Sequence, residues 1–248
     1  MIYLEKVCKD YGDFRAVDIE ILNIPKGNFF GFIGSNGAGK TTTIKMITGL
    51  MRPTTGKILI GGFDILKQPE KAKKLFGFVA DNPMVYNKLT GREFIRFMAN
   101  IYGYRSDSNL ENRINELLSK FDLKNSADNL IQSYSRGMKQ KISIAGTLIH
   151  NPEVLILDEP IVGLDPQGVK LLKDILVGLV QEGKTIIMST HVLEIAEKLC
   201  DTIGIIKNGK MVFNGSVKEI QEAKGNKSLE DIFMELVGHT QTEEQDEY

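Results

Sequence analysis

The order of apolar and polar positions divides the chain into an alternating first part, a helical middle and a mixed last part. Residues 1–33 alternate apolar and polar side chains between turn signals, as the strands of a mixed sheet do, and residues 57–60 before a Gly-Gly pair predict a further strand. Between residues 91 and 150 the apolar side chains recur at helical spacing instead. The pattern therefore predicts a strand-rich start followed by a block of helices.

Short strands and helices take turns after residue 150. The apolar run at 154–157 has the length and composition of a parallel strand that is buried on both faces. The further predicted strands are 185–188, 203–206 and 211–213, and the predicted helices are 171–180 and 192–199. Asn208-Gly209 between the last two strands is typical of a tight hairpin turn. This order of elements indicates an α/β fold that is interrupted by a helical insert.

A glycine-rich segment, residues 34–42, follows the apolar run 28–33 and precedes a helical pattern. It reads Gly-Ser-Asn-Gly-Ala-Gly-Lys-Thr-Thr and fits the phosphate-loop motif. Glycines let the backbone curl so that its N–H groups face phosphate oxygens at the positive end of the new helix. Lys40 is expected to reach the β- and γ-phosphates of a nucleoside triphosphate, and the Thr41 hydroxyl to complete a magnesium shell. The predicted nucleotide contacts of the loop are Ser35, Asn36, Gly37, Ala38, Gly39, Lys40, Thr41 and Thr42.

Polar side chains follow two of the predicted core strands. Because α/β sheets bind ligands at the carboxyl ends of their strands, Asp158 is expected to hold magnesium, and Glu159 to face the γ-phosphate and polarise the attacking water. His191 follows another core strand, so a γ-phosphate contact is expected of it. The alternative for Asp158 and Glu159 is a turn that happens to begin with acidic residues. The alternative for His191 is a polar residue at a strand–helix junction. Lys40, Glu159 and His191 are the predicted catalytic residues.

These elements define the predicted architecture. It is an α/β fold with a phosphate-loop NTPase core and a mixed β-sheet, an N-terminal antiparallel β subdomain and an inserted α-helical subdomain at about residues 84–150. Residues 1–238 are expected to form a single domain. The acidic tail at 239–248 is expected to be disordered.

Composition narrows the class of protein. Hydrophobic residues make up 42% and charged residues 25% of the 248-residue chain, which is ordinary for a globular protein. The formal net charge of −1 gives no basic field for nucleic acid, and no apolar run approaches the length of a membrane span. The first residues lack the apolar core of a secretion signal, and the two cysteines have no metal or redox spacing. An intracellular location with free thiols is therefore expected.

The motifs occur in an order that is specific to one family. After the phosphate loop come Tyr-Ser-Arg-Gly-Met-Lys-Gln at 134–140, the Asp-Glu pair, Gly-Leu-Asp-Pro at 163–166 and His191. In this order the chain resembles the ATP-binding subunit of ABC transporters, from about residue 1 to about residue 238. Segment 134–140 looks like the signature loop of that family, usually Leu-Ser-Gly-Gly-Gln, which simple phosphate-loop kinases and GTPases lack. The resemblance implies a Mg²⁺-dependent ATPase whose hydrolysis of ATP is coupled to transport.

The resemblance assigns further residues to the nucleotide. Ser135 and Gly137 of the signature loop are expected to face the phosphate loop of a second subunit, so that two ATP molecules are buried in a head-to-tail dimer. Asp165 looks like the residue that reports across that interface. Tyr11 looks like the aromatic residue that stacks on adenine, a contact that leaves GTP as an alternative nucleotide, and a surface tyrosine in a turn is the alternative interpretation. The sequence leaves open a homodimer or a heterodimer with a paralogous ATPase.

Two regions depart from the common family pattern. Asp81 stands where the family usually has Gln, and it is expected to serve magnesium and to keep a coupling role with weaker basal hydrolysis. In the signature loop, Arg136 and Met138 replace a glycine and a glutamine. This form of the loop, together with residues 228–233, is similar to the ABC-2-type branch, which energises multi-component exporters.

The resemblance also implies a partner. A separate polytopic membrane subunit would bring the chain to the inner, cytoplasmic face of the cell membrane, and residues 79–89 are the predicted contact surface for it. No nucleic acid is expected as a partner. The alternatives are a soluble ABC-type ATPase that remodels ribosomes or DNA, and a non-catalytic regulatory binding module. The sequence does not disclose a transported substrate.

Overall fold

Ten strands form one continuous sheet in the computed structural model, which describes residues 1–105, 107–225 and 227–238. In chain order they are β1 (Ile2–Tyr11), β2 (Phe14–Ile24), β3 (Phe29–Ile33), β4 (Thr55–Ile60), β5 (Phe63–Asp64), β6 (Phe76–Val79), β7 (Val154–Asp158), β8 (Thr185–Thr190), β9 (Thr202–Lys207) and β10 (Lys210–Ser216). Across the sheet the order is β5-β4-β1-β2-β10-β9-β3-β8-β7-β6. The predicted acidic tail, residues 239–248, lies outside the described residues.

The half of the sheet from β9 to β6 is parallel. Every residue of β3, β7 and β8 is buried, which explains why the sequence shows short and mostly apolar runs there. In the register of this half, Ile33 pairs with Thr190 and Asp158 pairs with Ser189. The carboxyl ends of the three strands therefore lie side by side at one edge of the sheet, where α/β folds bind their ligands.

The other half of the sheet is antiparallel. β1 and β2 form a hairpin in which Tyr11 pairs with Phe14 across a two-residue turn, and Gly12 in that turn has a left-handed φ of 58°. β4 and β5 extend this half, and the parallel pairing of Lys210 with Asp18 joins it to the core half. The predicted antiparallel subdomain is present, and it continues the core sheet.

The hairpin of β9 and β10 turns at Asn208-Gly209, as the sequence predicts. Both residues have positive φ, 49° and 78°, as a type I′ turn requires. A Cβ at position 209 would lie 2.6 Å from the Ala16 carbonyl oxygen. Glycine is therefore the residue that lets this turn pack against β2, next to the phosphate loop.

Nine helices flank the sheet within the described ranges. They are α1 (Lys40–Ile47), α2 (Pro69–Leu75), α3 (Gly91–Ile101), α4 (Ser108–Lys120), α5 (Arg136–Leu148), α6 (Pro166–Gln181), α7 (Leu193–Leu199), α8 (Val217–Ala223) and α9 (Leu229–Val237). Polar side chains cap several of these helices: Thr90 and Glu93 form a capping box at α3, and Ser135 and Asp165 cap α5 and α6. Helices α3 to α5 are the predicted helical insert.

Two apolar clusters cover the two faces of the sheet. The alternation of side chains along β7 divides its residues between them, with Leu155 and Leu157 in one cluster and Val154 and Ile156 in the other. The first cluster includes the buried faces of α3 to α6 and of α8 and α9, and the second includes α1 and the antiparallel strands. The edge of the sheet that carries the polar residues is thus supported by packed side chains on both faces.

The predicted fold class is confirmed by this architecture: a mixed α/β sheet carries an antiparallel extension and a helical insert after β6. Among the described residues, none of the helices has both the length and the hydropathy that crossing a membrane requires.

Candidate active site

The phosphate loop lies between β3 and α1. Gly39 precedes the helix with a φ of 112°, and Gly37 has a φ of 79°, conformations that favour glycine. At Gly34 a Cβ would lie 2.7 Å from the Ile206 carbonyl oxygen, so the loop passes close to β9. The loop therefore curls tightly over the ends of the parallel strands, and the first turn of α1 opens towards the site.

Lys40 is buried at the centre of the loop. Its Nζ donates hydrogen bonds to the carbonyl oxygens of Gly34, at 2.7 Å, and Ser35, at 3.1 Å, and lies 4.0 Å from Glu159 Oε1. Burial lowers the pKa of Lys40, while the negative charges of Glu159 and Asp158 act in the opposite direction. The ammonium group is thus held among oxygen acceptors beside the carboxylates at the end of β7.

Asp158 is the most enclosed carboxylate of the site. Its Oδ1 accepts a hydrogen bond of 2.5 Å from Ser189 Oγ. Burial raises the pKa of Asp158, hydrogen bonds from Ser189 and Thr41 oppose that shift, and the negative charges of Asp81 and Glu159 add to it. The Thr41 hydroxyl therefore contacts the Asp158 carboxylate, and the charge of Asp81 acts on the same carboxylate, a donor set that fits Mg²⁺.

Ser189 is a residue of the site that the sequence reasoning missed. Its hydroxyl donates to Asp158 and accepts a hydrogen bond of 3.0 Å from the Glu159 backbone N–H, so it links both acidic residues to β8. The side chain is fully buried. The signal was the order of strands: once β8 is placed beside β7, Asp158 and Ser189 are direct neighbours.

Glu159 and His191 meet above the phosphate loop. Glu159 Oε2 lies 2.9 Å from His191 Nδ1, and its other oxygen faces Lys40. The backbone of Glu159 is left-handed, with a φ of 48°, a strained conformation for a residue with a side chain. A carboxylate that is held by an imidazole and an ammonium group is positioned to accept a proton from water.

An open cleft of about 360 Å³ runs from Glu159 to the β1–β2 hairpin, and His191 is not among its lining residues. Its lining residues are Tyr11, Phe14, Ala16, Ser35, Asn36, Gly37, Gly39, Lys40, Thr41, Thr42, Asp81 and Glu159. Ten of the predicted site residues are therefore brought to one cleft, and Phe14 and Ala16 join them. The volume is in the range of small-molecule sites.

Tyr11 lines the cleft at the β1–β2 hairpin, at the end opposite Glu159. Its hydroxyl donates to Met51 Sδ at 3.1 Å, and Lys9 Nζ lies 5.2 Å from the centroid of its ring. These two contacts hold an exposed aromatic ring at the end of the β1–β2 hairpin. Its place, on the same cleft as the phosphate loop, is where a base attached to bound phosphates would extend.

Asp81 lies just after β6, on the side of the cleft near Asp158. Its Oδ1 accepts a hydrogen bond of 2.6 Å from the Asn82 backbone N–H. The side chain is exposed, and its charge is close enough to raise the pKa of Asp158. Asp81, although its side chain is shorter than the usual Gln, thus affects the charge state of Asp158 in the predicted magnesium site.

The signature loop is placed elsewhere, and its residues do not line the cleft. Ser135 caps α5 by accepting a hydrogen bond of 3.2 Å from the Met138 N–H. Asp165 caps α6 in the same way, through the Gly168 N–H at 3.1 Å. A Cβ at Gly137 would lie 3.5 Å from the Gly163 carbonyl oxygen, so the start of α5 packs against the segment that leads into α6. Ser135, Gly137 and Asp165 form a second surface, separate from the phosphate loop.

The chain belongs to the ABC transporter family, whose family model matches residues 19–162. Among curated relatives, the bacitracin transport ATP-binding protein BcrA of Bacillus licheniformis is 40% identical over 205 residues, which cover 82% of this chain and 66% of that protein. A solved structure of an ATP-binding subunit of an ABC transporter is 33% identical, with a TM-score of 0.88, and covers 95% of this chain and 99% of that one.

A second solved structure concerns hydrolysis. It is a dimeric, post-hydrolysis state of the ATP-binding cassette MJ0796 bound to ADP and Pi, with 25% identity, a TM-score of 0.79, and coverage of 88% of this chain and 99% of that one. The prediction of an ABC-type ATP-binding subunit with ATPase activity is confirmed by these matches.

Proposed function

We propose that this chain hydrolyses Mg-ATP as one half of an ATP-bound pair of subunits, and that this drives export through a separate membrane-spanning subunit. The observation that carries the proposal is the assembly of Lys40, Glu159 and His191 beside Asp158 and Thr41 at the ends of three adjacent strands. The named function of BcrA, bacitracin transport, supports a role in export.

The proposed chemistry is an in-line displacement at the γ-phosphate. Backbone N–H groups of residues 35–42 and the Lys40 ammonium group bind the phosphates. Thr41, Asp158 and Asp81 would hold Mg²⁺, which would supply positive charge to stabilise the transferred phosphoryl group. Glu159 accepts a proton from the attacking water, and His191, at 2.9 Å, fixes the orientation of that carboxylate.

The second surface, around Ser135, Gly137 and Asp165, supports the pairing of two ATPase subunits. Its polar groups cap helices and do not line this chain's own cleft, so we assign them to the nucleotide of a second subunit. The dimeric state of MJ0796 is in line with this arrangement. The second subunit is another copy of this chain or a paralogue, and ATP bound between the two favours the closed pair by mass action.

The proposed contact surface for the membrane subunit follows β6. Met84 is 84% exposed and Tyr86 57% exposed, although both are largely apolar side chains. Tyr86 packs edge-on against Phe97 of α3, with 5.0 Å between ring centroids, so the segment is attached to the helical insert. An exposed apolar surface that connects Asp81 to the insert is suited to bind short helices of a partner, which would hold the chain at the inner face of the membrane.

The replacement of the family's usual glutamine by Asp81 is proposed to weaken basal hydrolysis while keeping the link to this surface. We expect Asp81→Gln to raise the basal Mg²⁺-dependent rate and Asp81→Ala to raise the Mg²⁺ concentration needed for half-maximal rate. Steady-state ATPase assays across a magnesium titration measure both. Identical curves for the three proteins would remove Asp81 from the site.

Substitution of Glu159 by Gln tests the catalytic assignment, because it removes the proton acceptor and keeps the shape of the side chain. Turnover is expected to fall by about 10²- to 10⁴-fold, the usual contribution of a general base. Nucleotide binding and ATP-dependent pairing, measured by calorimetry and size-exclusion chromatography, are expected to persist. Glu20→Gln, the same change at an exposed position of β2, is the matched control. Full turnover in Glu159→Gln would overturn the assignment.

Purification of the tagged chain from its own membranes in mild detergent tests the transport role. A polytopic membrane protein at equal stoichiometry is the expected result. Ribosomal or DNA-bound partners without a membrane protein would instead establish the soluble remodelling ATPase.

A further inference from the structure

Phe14 is an exposed aromatic residue on the wall of the nucleotide cleft. It begins β2 with 66% of its surface exposed, yet it lines the same cleft as the phosphate loop. A ring of this size leaves a large apolar surface in contact with water. Single exposed apolar residues are common, so it is the position on the cleft that singles out Phe14.

The hairpin geometry places Phe14 next to Tyr11. The two residues are direct cross-strand partners on either side of a two-residue turn. Direct partners in an antiparallel pair point to the same face of the sheet, with Cβ atoms about 4.5–5.5 Å apart. Both residues line the cleft, so the cleft carries two aromatic side chains where it meets the β1–β2 hairpin.

Tyr11 is held from two directions, by Met51 at its hydroxyl and by Lys9 at its ring. Because Lys9 Nζ lies over one face of the Tyr11 ring, only part of that ring is open to a ligand. Phe14 enlarges that surface and adds no hydrogen-bonding group of its own. The combined surface is therefore apolar and aromatic beyond the Tyr11 hydroxyl.

We infer that Phe14 is a second aromatic contact for the base and ribose of the bound nucleotide, alongside Tyr11. The inference rests on the proposed nucleotide site and adds a residue that discriminates nucleotides from bare phosphate chains. Because Phe14 has no donor or acceptor, it reads the presence of a base and not its identity. Phe14 is therefore expected to contribute similarly to the affinity for ATP and for GTP.

Equilibrium binding of Mg-ADP and of Mg-pyrophosphate to the full chain tests the role of Phe14. ADP contains the base and ribose, whereas pyrophosphate carries only the phosphate groups. Phe14→Ala is expected to weaken ADP binding by about 5- to 150-fold, the range for loss of one base–aromatic stacking contact, and to leave pyrophosphate binding unchanged. GDP is expected to lose a similar factor.

Ile21→Ala is the matched control. Ile21 lies on the same strand and is 58% exposed, but it is not among the residues that line the cleft. It is expected to bind both ligands as the parent chain does. Phe14→Tyr, which keeps the ring, is expected to restore ADP binding to within a few fold.

Three outcomes would overturn the role of Phe14. Unchanged ADP binding in Phe14→Ala would remove the contact. An equal loss of ADP and pyrophosphate binding would show that the substitution distorts the phosphate loop. A change in ATP-dependent pairing alone would move Phe14 to the subunit interface. Failure of the unaltered chain to bind either ligand would instead contradict the proposed nucleotide site itself.

Discussion

Removal of the Ser189 hydroxyl is expected to weaken both the fold and the proposed magnesium site. In Ser189→Ala, Asp158 loses a hydrogen bond of 2.5 Å, and the Glu159 N–H loses an acceptor at 3.0 Å. The second loss is small, because the Glu159 N–H also donates to the Ser189 backbone oxygen at 3.3 Å. The first loss dominates, because Asp158 is buried and its charged form depends on its hydrogen bonds.

A hydrogen bond to a charged group contributes about 1.5–3 kcal/mol to stability. For a domain of this size, 1 kcal/mol corresponds to about 2–4 °C in Tm, so Ser189→Ala is expected to lower Tm by about 3–12 °C. Loss of the bond also raises the pKa of Asp158 further, which disfavours the form that binds a cation. The Mg²⁺ concentration for half-maximal ATPase rate is therefore expected to rise.

Thermal unfolding and urea titration measure the first effect, and a magnesium titration of ATPase rate measures the second. Thr147→Val is the control, since it also removes a buried hydroxyl, but one that donates to the neutral Ser143 carbonyl. Its effect should be about 1 kcal/mol, without a change in magnesium dependence. The reasoning is refuted if Ser189→Ala is no less stable than Thr147→Val and has the magnesium curve of the unaltered chain.

Burial raises the pKa of Asp158, so its ionised form weakens the nucleotide-free fold at neutral pH. Asp158→Asn should therefore raise Tm at pH 7. This gain in Tm should shrink as the pH falls towards the ordinary aspartate pKa, because the unaltered Asp158 is then protonated in the fold. A pH-independent Tm difference would contradict this account. Burial raises the pKa of Cys200 to about 12, so a thiol reagent at pH 8 should modify Cys200 in denaturant and leave it unmodified in the folded chain; fast native modification would speak against it. At Gly39 the φ is 112°, and an added Cβ would lie 3.0 Å from the Ala16 carbonyl oxygen. Gly39→Ala should therefore lower the free energy of unfolding by about 1–3 kcal/mol and weaken nucleotide binding. In a urea titration its control is Gly37→Ala, where the φ is also positive but no atom lies within 4 Å of the added Cβ; equal losses would show that crowding plays no part.

Features carried by neighbouring residues in the chain could be predicted from the sequence. The phosphate loop is a contiguous motif between a strand and a helix, and the buried strands β3 and β7 are contiguous apolar runs. The hairpin at Asn208-Gly209 is likewise a local signal. Each of these depends on backbone preferences and burial within a few residues, so no knowledge of the strand order is needed.

Features that depend on pairing between distant segments could not be predicted in the same way. Ser189 belongs to the site because β8 lies between β3 and β7, an order that the periodicity of the strands does not contain. Phe14 shares the cleft because of its register opposite Tyr11. The packing of the signature loop against Gly163 joins two segments that are separated by β7. Pairing and packing between distant segments therefore account for what the sequence analysis missed.

The left-handed backbone of Glu159 lowers the stability of the fold at a residue that is proposed to be needed for ATP hydrolysis. A φ of 48° at a residue with a side chain of this kind is unfavourable by about 1–2 kcal/mol, whereas Asn or Gly adopts it readily. Selection of random variants for heat resistance alone would therefore enrich replacements at position 159 that no longer hydrolyse ATP. Any programme to make this ATPase more stable must measure turnover in parallel, because a stabilising change at position 159 would remove its proposed proton acceptor.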